Sequence, residues 1–157
     1  TNSFINNKFM IVKFFIFLFF CLSLSITTQV KSEKLEFIFD WSDLKNCTTG
    51  NPRIVSNPIF YLNNIPDNTR YIQFSLKDRN VPTYSHGGGK VDISEIKVIK
   101  ENETNFGKYK FVIEPGKFKY KSPCPPGGKH VYEWSAVAKD EKKKTIGKRA
   151  KSKQKYP

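Results

Sequence analysis

Beyond residue 33 the chain is cut at short intervals by turn-forming clusters: Asn51-Pro52, Asn57-Pro58, Pro66-Asp67-Asn68, Gly87-Gly88-Gly89, Pro115-Gly116 and Pro125-Pro126-Gly127-Gly128. Proline withholds a backbone donor. Glycine and asparagine reach backbone angles that other residues avoid. Each cluster therefore interrupts a helix or a ladder. What lies between is of strand length. Residues 35–39, 59–62, 71–76, 108–113 and 131–138 run apolar or alternate. In 71–76, Tyr, Gln and Ser oppose Ile, Phe and Leu. In 131–138, Tyr132, Trp134 and Ala136 share one side. A period of two marks a half-buried strand. No long stretch keeps a helical period. The expected fold is mostly β: an antiparallel Greek-key, sandwich-like core with little helix.

Residues 14–26 read Phe-Phe-Ile-Phe-Leu-Phe-Phe-Cys-Leu-Ser-Leu-Ser-Ile, preceded by Lys8 and Lys13 and followed by Val30-Lys31-Ser32. A basic start, an apolar centre and a cleavage-like end make the layout of a secretory signal peptide. The apolar run is short for a membrane span of ~20 residues. Residues 1–32 are expected to be a signal peptide, with Met10 a candidate true start and residues 1–9 then extraneous. The mature chain, 33–157, would be one β domain, exported to the periplasm or the extracellular space. It would keep two cysteines, Cys47 and Cys124. An even pair in an exported chain points to one disulfide, with two buried free thiols as the alternative.

The length of 157 residues allows one domain, two at most, and 38% hydrophobic with 15% aromatic residues supports a packed core. No GxxxxGK[ST] loop and no GxGxxG turn supports a nucleotide-binding enzyme. The formal net charge is +13, from 27 Lys+Arg against 14 Asp+Glu. Residues 139–157 hold nine basic and two acidic groups, net +7; residues 33–138 hold fifteen and twelve, net +3. The basic tail reads first as a solvated last hairpin turning at 140–143. The alternative is an arm contacting anionic membrane surfaces. Arginine is scarce and aromatics do not interleave with the lysines, so no specific nucleic-acid partner is expected.

The two histidines sit in Gly/Pro-rich segments that read as loops feeding strands. The first runs Asp78-Arg79-Asn80-Val81-Pro82-Thr83-Tyr84-Ser85-His86-Gly87. The second runs Pro123-Cys124-Pro125-Pro126-Gly127-Gly128-Lys129-His130-Val131-Tyr132. The i, i+2 spacing of His130 and Tyr132 puts both on one face of a strand. With Asp78 they make a polar pocket in which imidazole, phenol and glycine N–H groups could bind a phosphate or carboxylate, Asp78 orienting one histidine.

Asp-x-x-x-Pro, a later His before glycines, and Pro-Cys-Pro-Pro…His-x-Tyr resemble the phosphatidylethanolamine-binding protein (PEBP) family, in its bacterial, Raf-kinase-inhibitor-like branch. Asn57-Pro58-Ile59-Phe60 and Ile65-Pro66-Asp67-Asn68-Thr69 add weaker matches, over roughly residues 35–140. The resemblance implies a Greek-key β core with a cleft for anionic or phosphorylated small ligands. It carries over Asp78, His86, His130 and Tyr132 as pocket residues, with Pro82, Gly87 and Pro126 shaping or lining the site. The expected function is small-ligand binding with no covalent step, cofactor or resident metal. Competing readings are a hydrolase using Asp78 with a histidine, a thiol nucleophile at Cys124 beside His130, and a metal site on Asp78, His86 and His130. A purely structural β domain that binds anionic surfaces through its basic tail is the fourth. His86-Gly87-Gly88-Gly89 mimics an esterase oxyanion loop, but the Gly-x-Ser-x-Gly elbow that it requires is absent.

Overall fold

The computed structural model describes residues 34–41, 43–100, 103 and 107–157. All lie in the compact unit Ser32–Pro157. The expected signal peptide, residues 1–32, lies outside the described residues. The strands are β1 (Glu36–Asp40), β2 (Ile54–Ser56), β3 (Ile59–Asn63), β4 (Tyr71–Asp78) and β5 (Ser85–Asp92). They continue with β6 (Lys97–Val98), β7 (Phe111–Ile113), β8 (Lys119–Lys121), β9 (His130–Lys139) and β10 (Thr145–Tyr156). A single 3-10 turn, Ile93–Glu95, is the one helical element among the described residues. Two four-stranded sheets have the orders β1-β3-β7-β6 and β10-β9-β4-β5, and β2 pairs with β8. Every pairing is antiparallel. After β5 the chain passes through the other sheet before β9 returns beside β4, the non-sequential neighbour of a Greek-key path.

The alternation in the sequence becomes the core. Ile72, Phe74 and Leu76 of β4 point inward, as do Tyr132, Trp134 and Ala136 of β9 and Phe60 and Leu62 of β3; each is at most 2% exposed. Phe60 of one sheet stacks on Phe74 of the other, with ring centroids 4.3 Å apart. Trp134 meets Phe60 edge-on at 5.3 Å. Each such side chain contributes about 1.5–3 kcal/mol through burial. β7 begins later than expected from sequence, because Lys108 still belongs to the turn that Gly107 makes at φ 56°.

The glycine run corrects a second expectation. It does not form a turn but lies inside β5, and Gly88 and Gly89 pair with Ser75 and Phe74. A Cβ on Gly88 would stand 2.0 Å from the Phe74 carbonyl oxygen, and one on Gly89 2.3 Å from Cγ of Phe118. Packing, not turn geometry, demands glycine at these two positions. The C-terminal basic segment forms a hairpin with β9. At its turn Lys143 donates to the Asp140 carbonyl at 3.0 Å and the Lys144 N–H to the Asp140 carboxylate at 2.8 Å.

Cys47 and Cys124 form a disulfide across 77 residues of sequence. In the chain-entropy model, closing a loop of this length stabilises a fold by about 4 kcal/mol. The paired Cys47→Ser, Cys124→Ser variant is expected to lose up to that amount in urea unfolding; an unchanged midpoint would contradict the account. Gly89→Ala should lose about 1–3 kcal/mol, and Gly88→Ala at least as much, through overpacking. Gly128→Ala is the control: a Cβ there meets nothing within 4 Å, so the change should stay within about 0.5 kcal/mol.

Candidate functional site

Three adjacent strands end or begin together at one margin of the β10-β9-β4-β5 sheet. Asp78 is the last residue of β4, directly opposite Tyr132 on β9. His130 opens β9, and His86 is the second residue of β5, on the other side of β4. Positions 78, 86, 130 and 132 are therefore gathered by strand order. His86 thus lies in a strand and not in a loop, which corrects the sequence reading of its segment. Asp78 and His86 are buried, at 4% and 3% exposure, and Tyr132 is at 1%.

The Asp78 carboxylate is closely satisfied. Its Oδ2 accepts from Nδ1 of His130 at 2.6 Å. Its Oδ1 accepts from the Asn80 and Val81 N–H groups at 2.8 and 3.2 Å. Burial pushes the Asp78 pKa up, but the His130 and backbone hydrogen bonds outweigh it, so the net shift is downward. The Asn80 side-chain oxygen accepts from the Val131 N–H at 2.9 Å, closing the loop back onto β9.

His86 plays a different part. Its Nδ1 lies 2.9 Å from the Lys121 carbonyl oxygen. A carbonyl only accepts, so Nδ1 carries the proton and Nε2 keeps a lone pair in the neutral ring. Burial, the leading cause, pulls the His86 pKa below its ordinary value, against the raising effect of that hydrogen bond. His86 is thereby biased to the neutral ring and offers an acceptor. Burial also pushes the Tyr132 phenol up, and the Asp78 charge beside it adds to the shift, so Tyr132 stays a neutral donor. The Tyr132 ring meets His86 edge-on at 5.3 Å and stacks with His130 at 6.3 Å.

These four side chains line a cavity of about 160 Å³ together with Gly50, Pro52, Val81, Tyr84, Cys124, Pro125 and Pro126. Pro126 is on the wall, as expected from sequence. Pro82 and Gly87 are not. Pro82 sits in the exposed turn closed by the Tyr84 N–H on the Val81 carbonyl at 3.0 Å. Gly87 makes a φ of 81° next to His86. The sequence reading missed Tyr84, whose ring lies 4.8 Å from that of His86. It also missed Gly50 and Pro52, which come from the loop that the disulfide ties to Cys124. Tyr84 lies two residues before His86, a spacing that could have flagged it; nothing local marks the Gly50 loop.

Geometry bears on two of the competing readings. Cys124 is bonded to Cys47, so no free thiolate stands beside His130. Among the described residues no group of three or more His, Cys, Asp and Glu could hold a metal ion. Larger hollows of about 260 and 510 Å³ lie elsewhere, but neither contains a histidine.

No protein-family model matches the chain, and no curated protein matches its sequence. Among solved structures, the chain is similar to the crystal structure of a phosphatidylethanolamine-binding protein (PEBP) homologue, CT736 from Chlamydia trachomatis. The TM-score is 0.47 at 13% identity, over 80% of this chain and 99% of that one.

Both buried groups bear on stability in acid. His86 has a folded pKa below the unfolded one, so its contribution is complete above about pH 6.5 and is lost as pH falls below that. Asp78, also depressed, loses its contribution only below about pH 4. The melting temperature is therefore expected to fall between about pH 7 and pH 5, and His86→Gln should flatten that part of the profile. Equal slopes for both proteins in calorimetry would contradict this role of His86.

Proposed function

We propose that the protein is an exported binding protein that reversibly holds a small ligand bearing a phosphate or similar oxyanion in the cavity at Asp78, His86, His130 and Tyr132. The observation that carries the reading is the 2.6 Å Asp78–His130 contact on the wall of the cavity. Asp78 takes the Nδ1 proton of His130 and leaves Nε2 for a ligand; when His130 is protonated, that nitrogen is a cationic donor. His86 offers the opposite, a lone pair on Nε2. A group that carries both an acceptor oxygen and a hydroxyl satisfies the two histidines at once. A hydrogen phosphate or a singly ionised phosphomonoester is such a group. No residue of the site is poised as a nucleophile, so the reading is binding without a covalent step. The disulfide supports action outside a reducing compartment, and among the described residues no helix is long and apolar enough to cross a membrane.

Imidazole NMR tests this directly, because the chain has only two histidines. Titration with inorganic phosphate and with phosphoethanolamine should shift both ring signals with one saturable curve. Affinity should rise several-fold from about pH 8 to about pH 6, as the ligand gains its proton (second pKa ≈ 6). Asp78→Asn should weaken binding at least about tenfold, since a charge-assisted hydrogen bond is lost. If neither histidine responds to either compound, the proposal fails.

A further inference from the structure

The C-terminal lysines do not form a free arm. They occupy β10, the edge strand of the β10-β9-β4-β5 sheet. Ala150, Ser152, Gln154 and Tyr156 turn inward, and Lys151, Lys153 and Lys155 turn outward. The register joins them to basic residues on other strands of the same face. One row across the sheet is Ser85, Lys77, Glu133, Lys153; the next is Gly88, Ser75, Ser135, Lys151. Beyond these come Lys90, Gln73 and Val137, and then Asp92, Tyr71, Lys139 and Thr145. The outer face thus carries six lysines (77, 90, 139, 151, 153 and 155) against two carboxylates. Both carboxylates are already engaged: Glu133 by Lys151 at 3.1 Å and Arg79 at 3.9 Å, and Asp92 by Arg70 at 3.0 Å. Among the described residues no carboxylate pairs with Lys77, Lys90, Lys139, Lys153 or Lys155.

A chain rich in lysine throughout would scatter this charge evenly, and the other sheet shows that it does not. The outer face of β1, β3, β7 and β6 presents Glu36, Asp40 and Lys97 among Ile38, Ile59, Tyr61, Asn63 and Val112. Within these strands that is one lysine against two acids, and the lysines at this face are paired: Lys97 with Glu114 at 2.6 Å, and Lys108 of the turn before β7 with Glu36. The lysine excess is therefore placed on one sheet. At strand spacings of about 4.8 Å and about 3.4 Å per residue, the basic face measures about 14 by 27 Å. Gly88, Ser75 and Ser135 keep the row beside Lys151 low. The face is a platform and not a groove.

We propose that this outer face docks on an anionic membrane surface. A planar array of headgroup charge meets all four strands at once, whereas a linear polyanion would follow the lysines of β10 alone. None of the exposed large hydrophobic residues (Ile54, Val81, Tyr84, Val98) lies on this face, so the contact is electrostatic and salt-sensitive.

The test is co-sedimentation of the full chain with phosphatidylcholine vesicles, with and without phosphatidylserine, at about 0.1 M salt, where charges on other faces are screened over about 10 Å. The readout is the gain in binding that phosphatidylserine confers. Each lysine at such a surface is worth about fivefold, so K151Q/K153Q/K155Q should cut the gain about 100-fold. K34Q/K45Q/K119Q removes equal charge elsewhere and should change it by less than about threefold. The two-strand variant K77Q/K90Q should cut it about 25-fold; it also covers the case in which the β10 variant does not fold, judged by circular dichroism. No gain from phosphatidylserine overturns the proposal, as do equal losses in the control. An unaffected K77Q/K90Q, or tighter binding to a single-stranded oligonucleotide than to vesicles, shows a linear partner and overturns it as well.

Discussion

Phe60 stacked on Phe74 at 4.3 Å is the contact on which the rest of the molecule depends, because it is where one sheet meets the other. Phe37, Phe118 and Trp134 close around it at centroid distances of 5.3–6.5 Å. Rings in such arrangements gain about 0.5–1.5 kcal/mol per pair beyond the burial of their surface. The layer also dictates sequence at a distance. Phe118 lies so close over β5 that a Cβ at Gly89 would meet it at under 3 Å. A feature that reads as a turn is in fact the clearance for an aromatic ring.

At the end of the sheet, polar groups replace this layer. A buried carboxylate costs several kcal/mol unless its lone pairs are occupied. Asp78 has three donors, from one imidazole and two backbone amides. Strand order then puts a second histidine beside the first with a different kind of partner: Nδ1 of His130 donates to the Asp78 carboxylate, and Nδ1 of His86 to the Lys121 carbonyl. The cavity therefore presents two imidazoles that are not equivalent, although in the sequence each is simply a histidine next to glycines.

Much of this was legible from residue order alone. The alternation of 71–76 and 131–138 and the apolar run at 59–62 appear as β4, β9 and β3, and the Asp78–His130–Tyr132 cluster follows from strand ends and i, i+2 spacing. The tail was legible as a hairpin with its turn near Asp140. Other features were not. β5 was hidden because its glycines answer to Phe74 and Phe118, which are remote in sequence. Whether Pro82 and Gly87 line the site or only shape it was not legible; both lie in the backbone beside the cavity and do not line it. Gly50 and Pro52 reach the cavity only because a disulfide closes a long loop.

Local chemistry settles which residues can turn, alternate or hydrogen-bond, since turn propensity and a period of two act over neighbouring residues. From that came the β class, while counting cysteines and charges along the chain gave the cysteine pair and the basic tail. Which strands lie side by side is a matter of non-local pairing and of packing between faces, and no short window contains it. Tertiary structure therefore decided that His86 joins His130 and that His86 is neutral, because burial depends on what covers the ring. It also decided that the lysines of four strands share one face, because antiparallel register fixes which side chains point the same way.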